Sequence, residues 1–151
     1  MFEQILAHHS FFNKMDQRLI DLIAQAAEFA NFEAGEYLFH EGDEADRFYL
    51  IIHGKVALEI NTPQQGPVVI QTIGDDQVLG WSWLFPPYRW QFDAHAAEET
   101  RAVVLDGKWL RQMCDQDHEL GYQLMNRVAL ILLEWLQATR LQLLDVYAHS
   151  Y

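Results

Sequence analysis

The residues able to do chemistry are few, and most stand alone. Histidine is the usual metal ligand and the side chain that titrates near neutral pH. His40, His53 and His95 lie in or beside short apolar runs, but no two histidines form a His-x-His pair. His8 and His9 are consecutive, so they point apart in regular structure. Cys114 is the one cysteine, which excludes a disulfide framework and any multi-cysteine metal site. No nucleophile elbow, P-loop or dinucleotide fingerprint is present. The densest concentration of binding chemistry is Gly80-Trp81-Ser82-Trp83-Leu84-Phe85-Pro86-Pro87-Tyr88-Arg89-Trp90-Gln91. Aromatic faces there offer a slot for a planar or apolar ligand, and Arg89 offers an anchor for an acidic group.

Composition limits what these residues serve. At 151 residues and 50% hydrophobic, the chain is long and apolar enough to fold as one domain with its own core. Ten Lys and Arg stand against 22 Asp and Glu, a formal net charge of −12. Duplex affinity depends on neutralising phosphates, and the arginines are scattered, so direct DNA binding is not expected. No apolar run reaches the length of a membrane span, and the N-terminus lacks the basic and apolar regions of a secretory signal. The expectation is a cytoplasmic protein with no membrane association.

The elements that must position the aromatic stretch are readable from periodicity. Residues 1–31 read as N-terminal helices: Leu19, Ile20, Ile23, Ala26, Ala27 and Ala30 recur at helical spacing behind the N-cap candidate Asp16. Residues 32–106 change to short apolar runs split by turns, the texture of an all-β sandwich or barrel. Within them, Val56, Leu58 and Ile60 alternate with Lys55 and Glu59, predicting one buried and one exposed face. Residues 48–52 are apolar on both faces and are expected to be covered on both sides. Residues 107–151 return to helix, first a short one near 108–114 and then a long one over 120–146. The fold expected is mainly β with flanking helices, as a single domain.

The run Gly35-Glu36-Tyr37-Leu38-Phe39-His40-Glu41-Gly42-Asp43, followed by Phe48-Tyr49-Leu50-Ile51-Ile52-His53-Gly54-Lys55-Val56, resembles the opening of a cyclic-nucleotide-binding domain. The likeness extends over nearly the whole chain. It implies a double-stranded β-helix, or jelly roll, with N-terminal helices and a long C-terminal helix, as in the effector domains of Crp/Fnr regulators. It also implies a non-enzymatic, ligand-sensing regulatory module. Gly42, Gly54 and Gly80 fall where tight turns call for positive φ.

In that family a later cassette begins Gly-Glu, runs through a short helix, and ends with an Arg and a small residue. The helix start and the Arg receive the cyclic phosphate, and the Glu accepts from the ribose. Here Gly80 matches, Trp81 replaces the Glu, Trp90 stands at the Arg position and Gln91 at the small residue. Arg89 is displaced by one. Binding of cyclic AMP or cyclic GMP in the standard way is therefore not expected. The candidate ligand-binding set is Gly80, Trp81, Ser82, Trp83, Arg89, Trp90 and Gln91. Two readings stay open: these residues hold a cyclic nucleotide or another small anionic or aromatic ligand, or Trp81, Trp83 and Trp90 fill the pocket themselves. No metal or resident cofactor is expected. The alternative of a cupin-like metal enzyme shares the jelly roll but lacks a ligand set, because no glutamate follows His40 or His53 at the distance those enzymes use.

The helix over 120–146 carries more apolar surface than one barrel can cover. In Crp/Fnr regulators the matching helix forms the dimer seam, so a parallel homodimer is expected through Leu124, Val128, Ile131 and Trp135. Because the sequence stops at Tyr151 without a helix-turn-helix, the expected partners are a second copy and a regulated protein.

Overall fold

A computed structural model describes residues 1–148; the last three residues of the helical region expected over 107–151 lie outside the described part. The chain opens with α1 (Phe2–His8), a 3₁₀ turn (Ser10–Phe12) and α2 (Gln17–Ala24). Eight strands follow: β1 (Ala27–Phe32), β2 (Tyr37–Phe39), β3 (Arg47–His53), β4 (Val56–Thr62), β5 (Gly66–Ile73), β6 (Val78–Leu79), β7 (Asp93–Ala96) and β8 (Thr100–Asp106). A second 3₁₀ turn (Trp81–Leu84) joins β6 to β7, and the chain closes with α3 (Gly107–Gln116) and α4 (His118–Ala148). The strands form two antiparallel four-stranded sheets, ordered β1-β8-β3-β6 and β2-β7-β4-β5. Two such sheets wound face to face are the expected jelly roll.

Alternation along the central strands divides the core in two. Phe48, Leu50, Val103 and Leu105 face outward from β3 and β8 onto the helices, meeting Leu6, Phe12, Leu19, Ile23, Leu110 and Leu124. Tyr49, Ile51, Ala102 and Val104 face the other way, into the barrel interior, with Phe39, Leu58, Trp90 and Phe92. This is why β3 reads as apolar on both faces: helices cover one side and the second sheet covers the other.

Two local expectations are corrected. The N-terminal helix does not reach Ala30. It starts as expected, with the Asp16 carboxylate accepting from the Arg18 N–H at 2.8 Å, but stops at Ala24. Residues from Ala27 pair with β8 in the register Ala27↔Leu105 to Phe32↔Thr100. The small side chains at 26, 27 and 30 suit either period, and the free edge of β8 decides for strand. The alternation along β4 also fails at its far end. Leu58 faces Gln71 but Glu59 faces Val69, so Ile70 is the extra residue of a bulge. Ile60 is left 39% exposed, whereas Glu59 is buried, accepting from the Tyr37 hydroxyl at 2.9 Å. Among the described residues no helix is long and apolar enough to cross a membrane.

Candidate functional site

The cassette starts at Gly80, whose φ of +94° is open to glycine at little cost. A Cβ there would also lie 2.8 Å from the Trp90 ring, so the two ends of the cassette touch through this glycine. Trp81, on the first turn beyond it, is buried and meets Trp135 of α4 edge to face, with ring centroids 4.6 Å apart. Trp83 also packs into the helix-facing core. It is fully buried, lies 5.6 Å from the Phe48 ring, and its indole N–H has no hydrogen-bond partner. Ser82 and Leu84 are half-buried between them.

The far end of the cassette is tied to the β2–β3 loop by backbone bonds. Trp90 N–H donates to Asp43 O at 3.0 Å, Gly42 N–H to Trp90 O at 2.9 Å, and Ala45 N–H to Tyr88 O at 2.8 Å. These bonds fix Trp90 inside the barrel, 3% exposed, with its ring 3.7 Å from Phe39 and only 9° from parallel. Phe92 continues the stack, 5.8 Å from Phe39 and 6.5 Å from Trp135. Tyr49 closes the interior beside them, and burial pushes its phenol up to about 12.

The sequence-derived set is thus split. Gly80 and Trp90 meet at the barrel interior, and Trp81 lies in the helix-facing core against Trp135 of α4. Trp83 joins that same helix-facing core. Arg89 and Gln91 are exposed on the outer surface of the loop, where Arg89 donates to Gly42 O at 3.4 Å and Gln91 to Arg89 O at 3.0 Å. Sequence reasoning missed Phe39 and Tyr49, whose inward parity on β2 and β3 was the available signal. It also missed Arg111, which donates to Trp83 O at 2.6 Å and stacks 4.0 Å over the Tyr88 ring, tying α3 to the cassette.

The histidines serve separate carboxylates: His40 lies 3.7 Å from Asp93, His53 3.2 Å from Asp75 and His95 3.5 Å from Glu59. Among the described residues no three His, Cys, Asp or Glu side chains are placed to hold a metal ion. Cys114 is half-buried in α3, and burial pushes its thiol up to about 11, away from reactivity.

The family of this architecture is decided by comparison. The model of the cyclic nucleotide-binding domain matches residues 29–117, from the middle of β1 to just past α3. The chain belongs to the cyclic nucleotide-binding domain family. A CRP-like cAMP-activated global transcriptional regulator of Mycobacterium tuberculosis is 28% identical over 127 residues, covering 84% of this chain. The chain spans 57% of that regulator's length. Among solved structures, a protein of Geobacter metallireducens described as a cyclic nucleotide-binding protein superposes with a TM-score of 0.82 at 28% identity, covering 90% of this chain and 98% of the other. The regulatory subunit of a cAMP-independent protein kinase A from Trypanosoma cruzi, bound to guanosine, shares the fold with a TM-score of 0.66 at 23% identity, covering 76% of this chain and 40% of its own.

The four residues expected at a dimer seam pack against the chain's own domain. Leu124 and Val128 are buried in the chain's own helix-facing core, and Ile131 and Trp135 are half-buried against the barrel. The apolar surface that α4 leaves uncovered is on another face. Tyr122, Met125, Ala129, Leu132, Leu136, Thr139 and Leu143 are all exposed and alternate in steps of three and four.

Proposed function

We propose that this chain is a non-enzymatic regulatory module of the cyclic nucleotide-binding family whose barrel interior is occupied by its own aromatic side chains. The observation that carries this reading is Trp90, stacked on Phe39 inside the barrel, where the family resemblance puts the arginine. A cyclic nucleotide needs an acceptor for its ribose and a cation for its phosphate. Trp81 supplies no acceptor, and Arg89 lies outside the barrel. Each unmade hydrogen bond to a buried polar group costs about 1–3 kcal/mol, and together they lower affinity by about a hundredfold or more. Displacing Trp90 adds the loss of its stacking contacts. Isothermal calorimetry of the purified chain with cyclic AMP and cyclic GMP is expected to give weak or undetectable heats. A low-micromolar dissociation constant for either nucleotide would refute the self-filled barrel.

The uncovered face of α4 supports the second half of the proposal, a parallel two-fold homodimer. Its steps of three and four from Tyr122 to Leu143 are the a/d pattern of a two-stranded coiled coil. With the barrel already filled, the module signals through this assembly or through a protein docked on it, rather than through nucleotide occupancy. It works in the cytoplasm and makes no direct contact with DNA.

A further inference from the structure

We infer that the cleft between α4 and the β5–β6 turn is a binding site for a small organic cation with an apolar body. The cleft has a volume of about 360 Å³, within the range of small-molecule sites. The buried side chains of Phe11, Ile73 and Val78 line it, with the half-buried Ile131 and Trp135 of α4 opposite them. Two carboxylates stand at its rim, Asp76 from the β5–β6 turn and Glu134 from α4, both exposed.

The charge that the cleft can offer an occupant is negative. Arg127 is its one cation, and that guanidinium is already engaged. It donates to Phe11 O at 2.8 Å and Asn13 O at 2.9 Å, and a third nitrogen reaches Gln123. Burial holds the Arg127 pKa below its usual value, as expected of a cation withdrawn from solvent. An anionic ligand would meet Asp76 and Glu134 with no free counter-charge. An ammonium group is complementary to Glu134 and to the Asp76 carboxylate, one oxygen of which also accepts from the Ser10 N–H at 3.0 Å, and an aromatic or alkyl body matches the walls.

The cleft opens on a different flank of α4 from the uncovered a/d face. Leu130, Ile131 and Glu134 line it, whereas Met125, Leu132 and Leu136 belong to the other face. Dimerisation therefore leaves it accessible. Its wall residue Trp135 also bears on Trp81 and Phe92, so an occupant touches the side chain that closes the cassette from α4. The inference stands on the cleft alone and does not depend on whether the barrel accepts a nucleotide.

The matched pair 4-phenylbutylamine and 4-phenylbutyrate tests it. In ¹H–¹⁵N spectra of the full chain, the amine is expected to shift the Trp135 indole and the Gln77 and Glu134 amides saturably. The carboxylate is expected to bind about tenfold more weakly. Glu134, exposed and without a structural bond, can be changed to Gln without disturbing the fold, and Glu134→Gln should weaken the amine about fivefold while leaving the carboxylate's weak binding unchanged. Equal affinity for the two probes, shifts centred away from these residues, or no saturation by about 10 mM amine would overturn the proposal.

Discussion

At the scale of single residues, Trp90 and His9 hold positions that the rest of the molecule depends on. Trp90 fills the space between Phe39, Tyr49 and the Cα of Gly80. Truncating a buried tryptophan removes transfer energy and leaves a cavity, so Trp90→Ala should lower stability by about 3–5 kcal/mol in urea unfolding. A loss below about 1 kcal/mol would mean that the ring is not packed as described. His9 is buried, with Nδ1 accepting from the Phe11 N–H and Nε2 facing Ile51 O, both at 3.2 Å. That pairing fixes the neutral tautomer with its proton on Nε2. Burial holds the His9 pKa below the usual histidine value, with Asp76 and the Ile51 carbonyl opposing it. The unfolded chain therefore binds a proton near pH 6.5 that the folded chain refuses. Stability from His9 is complete above about pH 6.5 and declines as pH falls through the window below it, by at most about 1.4 kcal/mol per pH unit. Urea midpoints of wild type and His9→Gln, compared at pH 7.5 and 5.5, should converge on the acid side. A wild-type loss no larger than the variant's would remove His9 as the cause.

At the scale of elements, α4 has one face packed on the domain and one apolar face left exposed. Leu120, Leu124 and Val128 lie against the chain's own core, and from Leu136 onward every side chain described is exposed. The last turns run past the barrel, carrying Leu136, Leu141 and Leu143 into solvent. Charge placed at Leu132 and Leu136 should therefore split the proposed dimer and leave each subunit folded. Sedimentation velocity of Leu132→Glu/Leu136→Glu is expected to give half the wild-type mass with an unchanged far-ultraviolet spectrum. The pair Ile131→Glu/Trp135→Glu should instead destabilise the fold itself, since both residues pack on the domain. Identical masses for wild type and the first variant would put the seam elsewhere.

At the scale of the whole molecule, charge predicts what the protein avoids. A net charge of −12 repels the phosphate backbone, and no basic stripe offsets it. Electrophoretic shift assays at physiological salt should detect no sequence-dependent duplex binding by this chain. Sub-micromolar, sequence-dependent binding would contradict the assignment of its role to ligand and protein contacts.

The division between sequence and tertiary structure follows the range of the forces involved. Strand alternation, turn glycines and helical periodicity are local, so a mainly β core with flanking helices was legible directly, and the resemblance to cyclic-nucleotide-binding domains implied the jelly roll and the location of the cassette. The bulky chemistry of the cassette was legible too, in the three tryptophans and two prolines between Gly80 and Gln91. Three features were not legible, because each depends on a partner distant in the chain. Ala27 is a strand residue only because β8 offers a free edge to pair with. Glu59 is buried only because a bulge at Ile70 and the Tyr37 hydroxyl, 22 residues away, receive it. Trp135 packs on the domain because Trp81 and Phe92 are there to meet it. Periodicity along α4 defines apolar stripes, but it carries no information about which stripe the barrel takes. The inward position of the Trp90 ring likewise depends on distant partners, the loop bonds of its backbone to Asp43 and Gly42.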